Sequence, residues 1–147
     1  MPPIVHSIEI GRPPEEVFSY VTDPARFAEW QDDVERVRMD GDGLPGVGSR
    51  FTTTRRIGRA ERKMTQEITE LDPPRSWAAY GVAGPIRPSA YISVEPLNDG
   101  TRSRVTIALD FKGRGIGVPL APLIRRIAAK GAPTSYQNLK KRLENGD

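Results

Sequence analysis

The chain has no cysteine and only one histidine. The first absence removes disulfides, thiolate metal sites and cysteine nucleophiles together, and it makes a cytoplasmic address the expectation. With a single imidazole and no thiolate, a metal cluster would need carboxylates, and no Asp/Glu set has ligand-like spacing, so no metal is expected. No run of about 18 apolar residues is present, so no membrane span is expected. The opening residues, MPPIVHSIEIG, lack the basic and apolar regions of a signal peptide and read instead as a first strand. G-x-S-x-G, P-loop and strand-following G-x-G-x-x-G patterns are missing too. The run Gly113-Arg114-Gly115-Ile116-Gly117 is glycine-rich only, and reads as a flexible approach to the last helix rather than a phosphate cradle. No repeat or linker divides the chain, and 147 residues fit one domain, 1–147.

What is present is led by the stretch 119–144. Leu123, Ile127, Gly131, Ser135, Leu139 and Leu143 recur every fourth residue, flanked by Leu120, Ile124 and Ala128, which predicts a helix with one apolar or small stripe. The net charge of +3 is concentrated there: from residue 119 onward six Lys/Arg stand against two Asp/Glu, which leaves the preceding chain at −1. Cations crowding the last turns suit the helix macrodipole. A solvated helix face therefore accounts for them, and with no recognition motif alongside, no nucleic-acid partner is expected.

Before that helix nearly everything reads as strand. Ile4–Ile10 alternates, with Ile4, His6, Ile8 and Ile10 on one face. Pro14 with Glu15 and Glu16 suits a helix first turn, and Asp23-Pro24 caps and restarts a second short helix ending at Trp30. Strands are expected at 34–39, 50–57, 62–71, 77–82, 89–97 and 101–111. Gly58-Arg59 and Asn98-Asp99-Gly100 serve as hairpin turns, and Asp40-Gly41-Asp42-Gly43 followed by a loop through Leu44 ends the second strand. Seven antiparallel strands and one long helix point to an α+β layer fold, in which a strongly curved sheet gripping a helix leaves a pocket wherever side chains are too small to fill it.

Four pieces of this order resemble the START/polyketide cyclase (SRPBCC) superfamily, and its polyketide cyclase/dehydrase-like branch most of all. IEIGRPPEEVFSYVTDPARFAEW is similar to its N-terminal signature. ITELDPPRSW is similar to its strand, acidic-Pro-Pro turn and next strand. EPLNDGTRSRVTIALDF resembles its penultimate hairpin, and NLKKRLE the end of its long helix. The resemblance implies a helix-grip fold: a seven-stranded curved antiparallel sheet around the C-terminal helix, two short helices after the first strand, and a deep apolar cavity. Members bind or act on lipids, sterols, polyketides and aromatic compounds, usually without metal or redox cofactor, so no cofactor is expected. The family has no universal catalytic residue, and fold supports a cavity better than a reaction.

Polar residues that alternation puts on apolar faces are candidates for the cavity wall, since burying them unpaired costs about 1–3 kcal/mol each. Arg55 shares a face with Phe51, Thr53 and Ile57. Gln66 shares one with Met64 and Ile68, and His6 stands among isoleucines. Trp30 would wall one side of the mouth. Only one of Trp77 and Tyr80 can point inward, and Tyr91 is expected outside. Ile92, Ile107, Ile127 and Tyr136 complete the wall. Gly131 is expected to face the sheet with no side chain, so that the cavity opens beside it, and Pro133 is expected to kink the helix there. The leading expectation is binding of a small hydrophobic or aromatic molecule by a monomer or homodimer. A cyclase/dehydratase is the alternative, with Arg55 stabilising enolate or alkoxide charge and His6 exchanging the proton. An interaction protein using its basic helix face is the second.

Overall fold

A computed structural model describes residues 3–41 and 45–145. The part of the turn expected at residues 42–44 lies outside them. Strand β1 (Ile4–Ile10) leads through α1 (Pro14–Val21) and a 3₁₀ turn (Pro24–Arg26) into α2 (Phe27–Trp30). Strands β2 (Val34–Asp40), β3 (Arg50–Ile57), β4 (Ala60–Asp72), β5 (Ser76–Ala83), β6 (Ile86–Leu97) and β7 (Arg102–Gly113) follow, and α3 (Ala121–Glu144) closes the chain. All neighbouring strands pair antiparallel, in the order β1-β7-β6-β5-β4-β3-β2. The α1–α2 segment carries the chain from one edge strand to the other, and α3 lies on the inner face. This is a helix-grip fold.

Local chemistry accounts for the elements. Pro14 begins α1 with Glu15 and Glu16 in its first turn, where a missing N–H and negative charge cost least. The Asp23 carboxylate accepts from the Ala25 N–H at 3.0 Å and caps the following turn. Tyr20 donates to Glu29 at 3.0 Å and ties α1 to α2. Burial, reinforced by that carboxylate, raises the Tyr20 phenol to about 12. Strand β6 begins three residues earlier than expected, with Pro88 inside it. Its ladder with β5 stops at Ser89 while its ladder with β7 continues to Ile86, so Pro88 lacks a donor only where the β5 ladder has already ended.

The C-terminal half of α3 is fastened to β1 and to the turns that follow β1 and α2. Arg12 Nε donates to the Leu143 carbonyl at 2.8 Å, Gly11 N–H to Glu144 at 2.8 Å and Lys140 to the Glu9 carbonyl at 2.7 Å. Ser135 Oγ accepts from the Asp32 N–H at 3.3 Å, and Asn138 donates to Asp32 at 2.8 Å. The helix runs through Pro133 within one continuous span.

The buried line of α3 is not the expected stripe. Ala121, Ile124, Ala132, Ser135, Tyr136 and Leu139 are buried, whereas Leu123 and Ile127 are 51% and 37% exposed. The reason is angular. Four residues turn a helix by 400°, so an every-fourth stripe drifts about 40° per step and winds from the outer face to the inner one. Gly131 sits on that drift. It is exposed, and a Cβ there would meet nothing within 4 Å, so it is not packed against the sheet.

Buried apolar residues form two separate clusters. The larger surrounds Phe27, Trp30, Phe51, Trp77, Tyr136 and Leu139. The smaller, at the other end of the sheet, comprises Ile57, Met64, Ile86, Phe111, Ala121 and Ile124.

Candidate ligand-binding site

Between the two clusters lies a cavity of about 230 Å³, walled by residues of both. It exists because facing side chains are small. Ser89 and Ala90 on β6 and Ala128, Gly131, Ala132 and Ser135 on α3 line it, and none is long enough to close the gap. For scale, an apolar hole of roughly 150 Å³ in a protein core accepts benzene. The space here suits a molecule of one to two rings or an equivalent chain.

One corner of the wall is polar, and four elements build it: Trp30 at the end of α2, Asp33 in the turn into β2, Arg55 on β3 and Tyr136 on α3. Arg55 donates through Nη1 to both carboxylate oxygens of Asp33, at 3.2 and 3.1 Å. The Tyr136 ring stands 6.3 Å from the Trp30 ring and meets the His6 ring edge-on at 5.5 Å. Burial pushes the Tyr136 phenol well above its ordinary value. Arg55 pulls against that rise and Asp33 adds to it, which shows the three groups share one electrostatic neighbourhood.

Among the described residues, three buried side-chain polar atoms have no hydrogen-bond partner: Trp30 Nε1, Arg55 Nε and Tyr136 Oη. All three belong to residues that line the cavity. The indole and guanidinium N–H groups only donate, and a phenol kept protonated is also a donor. An unpaired buried donor costs about 1–3 kcal/mol, so each of the three has a hydrogen bond left to make.

The structure brings Trp30, Arg55, Gln66, Trp77, Ile92, Ile107, Ile127, Gly131 and Tyr136 to the cavity wall. Trp77 is buried and Tyr80 is 52% exposed, so Trp77 is the inward one, and Tyr91 faces out. Phe51, Thr53 and Ile68 point inward but lie beyond the wall. Phe51 packs against Phe27 and Trp77, Thr53 donates to the Met64 carbonyl at 3.4 Å, and Ile68 is in the larger core cluster. His6 stands behind Tyr136 rather than in the wall. Sequence reasoning missed Phe27, Asp33 and the small residues Ser89, Ala90, Ala128 and Ala132. The acidic pair Asp32-Asp33 directly after Trp30 was the available signal for the polar corner. No group of three or more His, Cys, Asp or Glu able to hold a metal occurs among the described residues.

A curved seven-stranded sheet closed on a C-terminal helix around a mostly apolar cavity defines a START-like cavity protein. Residues 1–144 match the family described as polyketide cyclase/dehydrase and lipid transport, and the chain belongs to that family. Among solved structures it is similar to a START superfamily protein from Mycobacterium smegmatis, with 15% identity, a TM-score of 0.81 and both chains covered in full. It is similar to the Zhui aromatase/cyclase from a Streptomyces species at 15% identity and a TM-score of 0.80, over 97% of this chain and 93% of the other. With the di-domain ARO/CYC BexL it shares 19% identity and a TM-score of 0.71 over 98% of its own length, and it spans 47% of that longer chain. At these identities the likeness concerns the fold. No curated protein matches the sequence.

Proposed function

We propose that this protein binds a small, largely apolar molecule whose oxygen acceptor reaches the corner formed by Trp30, Arg55 and Tyr136. The three partnerless donors on the cavity wall carry this reading. They call for an acceptor such as a ketone, quinone or enol ether oxygen. Because Asp33 already balances the Arg55 charge, the acceptor that fits is neutral rather than a carboxylate. The apolar remainder of the wall supplies affinity by burial, at about 25 cal/mol per Å² covered.

A cyclase or dehydratase acting on an enolisable carbonyl is the second reading, favoured by the same corner. Arg55 and Tyr136 would hold a carbonyl oxygen as negative charge grows on it. The wall argues for binding first. Tyr136 is held protonated and acts as donor, not base. Both lining carboxylates are engaged, Asp33 by Arg55 and Asp32 by Asn138, and His6 is outside the wall. No unengaged base therefore faces the cavity among the described residues.

Thermal shift with a matched pair of ligands tests the binding reading: 1-tetralone, which carries a ketone, against tetralin, which lacks it. The ketone should bind at least about tenfold more tightly, since one recovered buried hydrogen bond is worth roughly 1–3 kcal/mol. Equal affinity for the two would overturn the acceptor assignment. Native mass spectrometry of freshly purified protein then identifies any molecule already bound, and turnover of an enolisable diketone in the same assay would favour the second reading.

A further inference from the structure

The stretch 111–143 carries eight Lys/Arg and no Asp/Glu. Its first half also holds four of the eight large hydrophobic residues exposed among the described residues: Ile116 at 82%, Val118 at 58%, Leu123 at 51% and Ile127 at 37%. Single exposed aliphatics are ordinary, but a cluster of four is not.

Their exposure is built into the backbone. Gly117 is buried against the β5–β6 turn, where a Cβ would collide with the Pro85 carbonyl. The Arg114 N–H donates to that same carbonyl at 2.8 Å. Because Gly117 is the residue that turns inward, its neighbours Ile116 and Val118 are held outward. On α3, Leu123, Arg126, Ile127 and Lys130 fall within an arc of about 100° at 100° per residue. That arc lies opposite the buried Ala132 and Leu139. Lys112, Arg114, Arg126 and Lys130 are exposed and make no ion pair among the described residues. Arg125, by contrast, is turned to Asp110.

We propose that this face docks the protein peripherally on an anionic phospholipid bilayer. Protruding aliphatics interspersed along the chain with unpaired cations, with no acidic residue in the stretch, match a surface that is apolar just beneath a negatively charged layer. An acidic protein surface would satisfy the cations but leave Ile116, Val118, Leu123 and Ile127 against water or charge. No helix among the described residues is long and apolar enough to span a membrane, so the attachment is superficial. Ile127 and Gly131 also line the cavity, so its mouth opens on this face, and an apolar ligand would pass between bilayer and cavity with little exposure to water. That passage rests on the binding reading; the docking does not.

Co-sedimentation with extruded vesicles tests the proposal. The protein should pellet with phosphatidylcholine vesicles containing about a quarter phosphatidylglycerol, not with phosphatidylcholine alone, and be largely released at about 0.5 M salt, where the Debye length is only a few ångströms. Arg126→Gln and Lys130→Gln should each lower partitioning about fivefold. Ile116→Ser with Leu123→Ser should weaken it further at every salt concentration. All four side chains are solvent-facing, so the variants should keep the parent melting temperature and the parent affinity for 1-tetralone in solution, which separates loss of docking from loss of the cavity. Failure to pellet with anionic vesicles would overturn the proposal. So would binding to soluble polyglutamate as strong as binding to vesicles and unaffected by Ile116→Ser and Leu123→Ser, which would point to an acidic protein partner.

Discussion

Arg55 binds Asp33 through one nitrogen: Nη1 reaches both carboxylate oxygens, at 3.2 and 3.1 Å, while Nε is left without a partner. The guanidinium side chain is 15% exposed and the carboxylate 39%. The pair is therefore charge-balanced but not saturated with hydrogen bonds, and that combination sets what the cavity accepts. Removing the carboxylate changes the balance without removing a donor.

Asp33→Asn should accordingly switch ligand preference from neutral ketones toward anions. With the Arg55 charge uncompensated at a nearly buried site, 2-naphthoate should gain about tenfold over 2-acetonaphthone relative to the parent protein. Paired titrations by calorimetry measure the ratio, and an unchanged ratio would show that Asp33 does not tune the corner.

Tyr136→Phe separates stability from binding. The Tyr136 hydroxyl is buried with no partner among the protein's own described groups, so deleting it removes a desolvation penalty. The empty protein should become more stable by about 1 kcal/mol, a rise of roughly 2–4 °C in melting temperature. Affinity for 1-tetralone should fall several-fold at the same time. A loss of stability would mean the hydroxyl has a partner in solution, such as an ordered water.

Gly131 controls the mouth. A Cβ there meets nothing within 4 Å, so Gly131→Ala should be stabilising by about 0.5–1 kcal/mol through helix propensity alone, with ligand uptake unchanged. Gly131→Leu should keep most of that gain and place a branched side chain at the opening, slowing or abolishing uptake in stopped-flow fluorescence. Unchanged uptake in the leucine variant would move the mouth elsewhere.

Glu144 should make the grip pH-dependent. Its carboxyl is held below the ordinary 4.5, first by the Gly11 N–H, against burial, which ranks next and raises it, and then by Lys140 and Arg102. A folded value below the unfolded one means the stabilisation is present above about pH 4.5 and is lost as pH falls through the lower, folded value. Glu144→Gln should thus cost on the order of 1 kcal/mol at most at neutral pH, given its partial exposure, and close to nothing at about pH 3. Parallel melting curves at the two pH values check this. A deficit that persists in acid would assign the effect to packing.

The architecture was legible because its signals are local. Alternation put Arg55, Gln66 and one of Trp77 and Tyr80 on inward faces, while Asp23-Pro24, Gly58-Arg59 and Asn98-Asp99-Gly100 marked starts and turns through their own backbone preferences. What alternation reports is the face of a strand, not the depth at which a residue sits along it. Phe51 and Thr53 share the inward face with Arg55, yet packing against Phe27 and Trp77 or bonding across to β4 keeps them out of the wall. The α3 stripe misled for a different reason, since its regular spacing is not the helical repeat and accumulates rotation. The acidic pair after Trp30 hinted at a polar corner without naming its partner, because only the closure of the α2–β2 turn over β3 brings Asp33 to Arg55, 22 positions later in the chain.

The division of the core into two clusters has a thermodynamic consequence. A solid core would melt as one block, whereas here the set around Phe111 and Ile124 is joined to the rest through the backbone ladders of β3, β4, β6 and β7 and through α3. A molecule in the gap would touch both sets at once and act as the missing keystone. Its binding would then register less as a change of shape than as added cooperativity: slower amide exchange in the Ile86–Leu97 and Arg102–Gly113 strands, and one sharper unfolding transition that rises with ligand concentration.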